Sequence, residues 1–369
     1  MNDTEKLLQT RIGEITGLYP EVMDAARKRQ AELAKPPGSL GRLEDLSVQL
    51  AGITGQVKNT LDWKELLVFC SDNGVVEEGV SSAPQSVTLA QTINLTRRKT
   101  GASVIAGHFG CHVRVCDVGV NADIREPAVI DRKIAYGTNN IAKTAAMTRE
   151  QAIQAILAGM ELAETAAHDG AKAIGVGEMG IGNTTTSSAV LAVLTDTPVE
   201  AVTGRGGGIT DESYRKKISV IETAIRRNQP DKNDPVDILA KIGGFDLCAM
   251  CGAFLGAARM RVPAVIDGFI SVVAALCAFR ICPTVREYLI PSHASYEIGY
   301  RIAIDELSLK PLFDLGMRLG EGSGCPIAMM MLDAACAVIN DMATFAEASI
   351  NDDYLDPIRA EDSFTVKGE

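Results

Sequence analysis

Two glutamates in glycine-rich surroundings are the residues best placed to do chemistry: Glu178 in GVGEMGIGNTTTSSAV (175–190) and Glu321 in MRLGEGSGCPIAMM (317–330). Glu178 follows an apolar run and precedes Asn183 and Thr184, which open a helical stretch whose free backbone N–H groups could bind an anion. A carboxylate there can accept hydrogen bonds from ribose hydroxyls, or it can be a helix N-terminal charge favoured by the dipole. Glu321 is left accessible by the glycines around it. Apolar walls would raise its proton affinity toward the range of a general base. An ion pair with Arg318, or a charge at the start of the following helix, would equally account for it.

A second glycine-rich turn, GRGGGITDESYRKK (204–217), brings Gly204, Gly206 and Gly207 ahead of a helix carrying Lys216 and Lys217. With Arg205, these lysines could neutralise a phosphate held in a nest of N–H groups. Gly175, Gly177 and Gly180 also satisfy G-x-G-x-x-G, the dinucleotide fingerprint. A rival reading as an NAD-dependent oxidoreductase rests on them and needs an acidic residue about 20 positions on. Asp196 falls near that spacing, but TDTPVEAV does not read as a strand end, and Glu178 would put a carboxylate where the pyrophosphate belongs.

The elements that must position these residues are short apolar strands alternating with helices. LLVFCSD (66–72), HVRVCDVGV (112–120), AKAIGVGE (171–178) and VPAVIDG (262–268) are continuously apolar, as strands buried on both faces of a parallel sheet are. They predict an α/β fold, a doubly wound and mostly parallel sheet over residues 65–310, with a smaller helical lobe from residues 1–64 and 311–369. Helical patterns run through Tyr19–Ala34, break at Pro36-Pro37-Gly38, resume at Leu43–Ile53 and return near Met329–Ala348. The turns Ser71-Asp72-Asn73-Gly74, Gly177-Glu178-Met179-Gly180 and Asp267-Gly268 end strands, so they should meet at one crevice.

Composition narrows the function classes. The 369 residues are 46% hydrophobic and 22% charged, and carry a formal charge of −11, which repels polyanions and argues against a nucleic-acid partner. The polar start does not read as a signal peptide, and the longest apolar run, Gly268–Phe279, falls short of the roughly 20 residues a membrane span needs. Nine cysteines without secretory spacing suggest free thiols and a cytoplasmic setting. Cys248 and Cys251 form C-x-x-C, but within FDLCAMCGAFLGAA they read as a packed helix face, and the four scattered histidines offer no metal set.

Several longer motifs occur together: KPPGSLGRLE (35–44), SDNGVVEEGVSSAP (71–84), GVGEMGIGNTT, NQP followed by DILAKIGGFDL, VIDGF (265–269), YLIPSH (288–293) and RLGEGSG (318–324). In that order and spacing the chain resembles the nicotinate-nucleotide:dimethylbenzimidazole phosphoribosyltransferase family along nearly its whole length. The resemblance implies that Glu321 is the general base and Glu178 the ribose-contacting carboxylate. It implies that Gly177, Gly180, Asn183, Thr184, Lys217 and the glycines at 204–208 belong to the nucleotide site, with Ser292 in the matching PSH turn and Gly322 beside the base. Gln91, in TLAQTIN, and Ala83 fall in the base pocket.

The implied reaction is displacement at ribose C1′ of nicotinate mononucleotide by a nitrogen of a cobamide lower-ligand base, inverting β to α. Nicotinate leaves as a neutral pyridine nitrogen, so the resemblance calls for no metal and no cofactor. Two departures from the family pattern bear on the acceptor: Asn73 stands where His is frequent and Ala83 where Ser is frequent; Cys325-Pro326 after GEGSG is also unusual. They point to a broadened or altered acceptor, such as a phenol or a purine. The family includes a two-subunit, phenol-activating variant, so the chain is expected as a homodimer or as a heterodimer with a paralogue. In the latter it could be a catalytically silent nucleotide-binding subunit.

Overall fold

The computed structural model describes residues 3–361. Six strands, β1 Lys64–Ser71, β2 Cys111–Gly119, β3 Val129–Asp131, β4 Ala173–Met179, β5 Ala264–Ile266 and β6 Leu289–Pro291, form one sheet in the order β3-β2-β1-β4-β5-β6, with every pairing parallel. All of β4, and β1 from Glu65 onward, is buried. That burial is why these strands read as unbroken apolar runs. The α/β class and the doubly wound sheet are as expected, and the sheet is parallel throughout. β3 and β6 gave no usable signal: three residues are too few to show a period, and β6 ends in Pro291, which a sheet tolerates at an edge.

The strand order reverses between β1 and β4. Crossovers between parallel strands are right-handed in nearly all proteins, so the connections of the two halves lie on opposite faces and part at this point, leaving a crevice beyond the strands' carboxyl ends. Val68 is opposite Gly177 and Phe69 opposite Glu178, so β4 delivers Glu178 next to the turn that ends β1.

Helix Phe245–Arg259 packs against helix Arg149–His168 backbone to backbone. A Cβ on Gly159 would overlap the Ala249 carbonyl, one on Gly252 the Ile156 carbonyl, and one on Gly256 would lie 2.6 Å from that of Met160. Each helical glycine costs roughly 1 kcal/mol of propensity, which the close approach must offset. Cys248 and Cys251 are fully buried on this helix, which is the packed face expected of them.

The chain divides into two compact units. The larger holds Trp63–Ala328 together with the N-terminal segment through Thr16. Helix Asp3–Gly13 buries Leu8, and Arg11 lies 3.6 Å from Glu161 and 3.7 Å from Glu164 of helix Arg149–His168. The smaller holds Gly17–Asp62 and the segment from Met329. Its helices Pro20–Glu32 and Arg42–Thr54 pack through Ala26, Val48 and Ala51 with Ile339, and a buried Lys35–Glu44 ion pair of 2.7 Å braces the proline turn. These borders differ from the sequence boundaries at 64/65 and 310/311, because the first helix docks on the sheet unit and residues 311–328 run across the strand ends. The last long helix is Cys325–Asp341. It starts before Met329 because Pro326 is tolerated in a first turn, and it stops short of Ala348. Among the described residues no helix is long and apolar enough to cross a membrane.

Candidate active site

A cavity of about 290 Å³ opens in the larger unit beyond the ends of β4 and β5. Glu178, Gly180, Asn183 and Thr184 reach it from β4 and the helix Asn183–Thr195, and Gly206 and Gly207 from the glycine turn. Glu321 enters from the loop 320–324, and Ala83 and Gln91 from the segment after β1. Gly177, Gly204, Lys217, Ser292 and Gly322, also expected in the site, do not line it. Of the three strand-end turns, those at Gly180 and Asp267-Gly268 line the cavity. The β1 turn backs it: a Cβ on Gly180 would lie 3.2 Å from Asn73 Nδ2.

Glu321 is presented by three consecutive residues with left-handed backbone, Gly320 (φ 84°), Glu321 (φ 61°) and Gly322 (φ 82°). That conformation costs an L-residue about 1–2 kcal/mol, so something must hold the glutamate in it. Two buried carboxyl groups do. Glu178 accepts the Glu321 N–H at 3.2 Å, and Asp267 accepts the N–H groups of Gly322 at 3.0 Å and Gly324 at 2.7 Å. The glycines of β4 let this loop lie directly on the strand: a Cβ on Gly177 would fall 2.6 Å from Gly322 Cα, and one on Gly175 2.6 Å from Cys325 Cβ. The Glu321 carboxylate accepts the Ala102 N–H at 3.2 Å and the Gln91 side-chain amide at 3.5 Å, while Gln91 is fixed by Asn94 at 3.0 Å.

The dinucleotide spacing is thereby explained by packing. Gly175 and Gly177 lie inside β4, not in a turn around a pyrophosphate, and Asp196 is the exposed C-cap of the helix Asn183–Thr195, paired with Lys232 at 3.4 Å. The oxidoreductase reading has no site.

Burial concentrates protons here. Desolvation, then the neighbouring Asp246 charge, pushes Glu178 up to about 8, against the hydrogen bonds of Asn183 and the Glu321 N–H. Below that pH Glu178 is a neutral carboxyl, able to donate to a hydroxyl as well as accept from one. Burial raises Asp267 to about 7 and Asp246 to about 6. The Asn183 amide bridges Glu178 and Asp246, the latter at 3.1 Å. His293 touches Ser292 Oγ at 3.0 Å, and burial lowers it to about 4, so its 3.9 Å approach to Asp267 is no ion pair at neutral pH. Ser292 itself donates to the Asp267 carbonyl at 3.2 Å.

Lys217 is 1% exposed and donates to Thr184 Oγ1 at 2.9 Å and the Gly204 carbonyl at 3.1 Å. Burial lowers its pKa to about 8, with Glu297 opposing the fall. A buried ammonium, a glycine turn and a helix N-terminus converge there, a set of groups that could hold an anion. Arg205 is instead paired with Asp211 at 2.5 Å. Asp246, Asp267 and Glu297 were not assigned roles from the sequence. The first two lay inside quoted motifs, yet only the three-dimensional structure shows which backbone and side-chain groups they hold.

A cavity at the switch point of a parallel sheet, lined by a glycine turn, a helix N-terminus and a carboxylate on a constrained loop, has the build of an α/β enzyme's active site. A sequence profile described as "Phosphoribosyltransferase" matches residues 15–350. A nicotinate-nucleotide–dimethylbenzimidazole phosphoribosyltransferase of Clostridium perfringens is 50% identical over 352 residues, covering 95% of this chain and 98% of that one. The protein of the same name in Yersinia enterocolitica is 46% identical over 343 residues, 93% of this chain and 97% of that one. The crystal structure of CobT from Thermus thermophilus superposes with a TM-score of 0.87 at 40% identity, covering 90% of this chain and 100% of that one. The chain belongs to the nicotinate-nucleotide:dimethylbenzimidazole phosphoribosyltransferase family.

Proposed function

We propose that the chain transfers ribose 5-phosphate from nicotinate mononucleotide to a nitrogen of a cobamide lower-ligand base, giving an α-ribotide and nicotinate. The donor phosphate sits in the nest of Lys217, Thr184 and the 204–207 turn, the ribose against Glu178, and the acceptor between Gln91, Ala83 and Glu321. The acceptor nitrogen attacks C1′ as the C1′–nicotinate bond breaks. The bonding pair goes to the pyridine nitrogen, and the acceptor's N–H proton goes to the Glu321 carboxylate. The observation that carries this reading is that Glu321, Glu178, Thr184 and the glycines 206 and 207 all line one cavity.

The test is to incubate the chain with nicotinate mononucleotide and, separately, dimethylbenzimidazole, adenine and phenol, detecting α-ribotides by mass spectrometry. Product that disappears with Glu321→Gln supports the assignment, and no product with any acceptor rejects it for the chain alone. Ala83 offers a methyl group to the acceptor, which supports purine or phenol acceptance. Turnover of dimethylbenzimidazole with none of adenine or phenol refutes that extension.

The chain is further proposed to work as a dimer in the cytoplasm, as a homodimer or with a paralogue. Nine cysteines, all buried and none in a disulfide, support a reducing compartment. Particle mass measured with and without a co-expressed paralogue separates the two dimers, and product formed only with the paralogue would mark this chain as the silent subunit.

A further inference from the structure

We propose that Glu297 is a positioning residue that occupies the donor-phosphate nest while the site is empty and withdraws when phosphate enters. The inference rests on reading Lys217 and the 204–207 turn as that nest.

Glu297 lines the cavity, and its carboxylate lies so close over Gly204 that a Cβ there would overlap Oε2. That oxygen is buried and accepts no hydrogen bond. A carboxylate kept for stability alone would be saturated with donors, because an unpartnered buried oxygen costs free energy. The charges that face it are those a phosphate would use: the Lys217 ammonium, the Gly206 N–H and, more weakly, Arg318. Its place in the chain lets it leave. Glu297 stands in the turn before helix Gly299–Glu306, between Tyr296 and Ile298, which are 76% and 54% exposed, so its side chain can swing outward by a rotamer change while the turn's backbone keeps its hydrogen bonds from Tyr296 to Met317 and from Tyr300 to Glu297. Without phosphate, the carboxylate offsets part of the fall in proton affinity that burial imposes on the Lys217 ammonium. Phosphate supplies the same balance, and two anions cannot share one nest.

The test is calorimetric binding at pH 7 of three probes, nicotinate mononucleotide, inorganic phosphate and nicotinate riboside, which lacks the phosphate. The proteins are the wild type, Glu297→Gln, Glu297→Ala and Lys217→Met. Both Glu297 variants should bind the mononucleotide and inorganic phosphate about three- to tenfold tighter, as removal of one partly screened like charge implies, with riboside affinity unchanged. Tightening by Gln but not by Ala would mark a new amide–phosphate hydrogen bond and overturn the proposal. So would weaker binding in both, which would make Glu297 a ligand, or equal tightening for the riboside. Lys217→Met separates the two levels. If it leaves mononucleotide affinity intact, the nest itself is misassigned; if it weakens binding while the Glu297 variants do not tighten it, only the placeholder role falls.

Discussion

Gly177→Ala should damage catalysis more than its chemistry suggests. The added Cβ would sit 2.6 Å from both Cα and N of Gly322. Ordinary contact begins near 3.4 Å, so the loop must retreat by about 0.8 Å, and it is backbone, which has no rotamer to switch. Overpacking of this kind costs about 1–3 kcal/mol, a Tm drop on the order of 2–10 °C for a unit this large. The retreat also drags Glu321, and a misplacement near 1 Å costs on the order of 100-fold in rate. Steady-state kinetics should therefore show kcat reduced roughly 10- to 100-fold with the donor KM little changed, since the anion nest is untouched. Gly175→Ala is the control. Its Cβ meets the Cys325 side chain, 2.6 Å from Cβ and 3.1 Å from Sγ, so it should lose comparable Tm but much less kcat. If Gly177→Ala lost only Tm, or if Gly175→Ala matched its kcat loss, the idea that β4 sets the height of Glu321 would be wrong.

The perturbed groups give further tests. Glu178 rises from 4.5 to about 8 on folding, so the folded state binds more protons than the unfolded in that window and its stability falls as pH rises through it. Glu178→Gln should gain on the wild type between pH 5 and 8 in urea unfolding, and parallel curves would refute the assignment. His293 is lowered from 6.5 to about 4, so its stability cost appears as pH falls through that interval. His293→Gln should flatten the acid limb of Tm against pH, and an unchanged limb would exclude His293 as its source. With Lys217 near 8, phosphate binding at pH 8.5 should take up a proton, visible as a buffer-dependent binding enthalpy that Lys217→Met abolishes. Glu321→Gln should lower kcat at least about 100-fold while donor affinity holds, and a smaller loss would reassign the base.

Long buried strands were legible because burial on both sides leaves an unbroken apolar signature, as in β1 and β4. The three-residue edge strands carried none. Glu178 and Glu321 stood out because glycines isolate them, and the glycines themselves signalled close backbone approach, although G-x-G-x-x-G suggested a ligand where the neighbour is the protein's own loop. Lys217 could not be told from Lys216 or Arg205 by local pattern, because the charges in DESYRKK spread around the helix and only tertiary packing turns one of them inward. The roles of Asp246 and Asp267 depend on hydrogen bonds to segments 55 to 63 residues away, which no local pattern encodes.

The sheet's strand order also bears on how the chain is made. β1 is complete by Ser71, but the neighbour that covers its second edge, β4, begins only at Ala173. At about 5–20 residues per second, ribosomes leave that flat, apolar edge unpaired for roughly 5–20 s on every copy synthesised. The carboxylate loop comes later still, since 143 residues separate Glu178 from Glu321. The nascent chain thus passes through a prolonged stage with an open apolar edge and an unassembled site, so slower translation lengthens the time it is exposed to association.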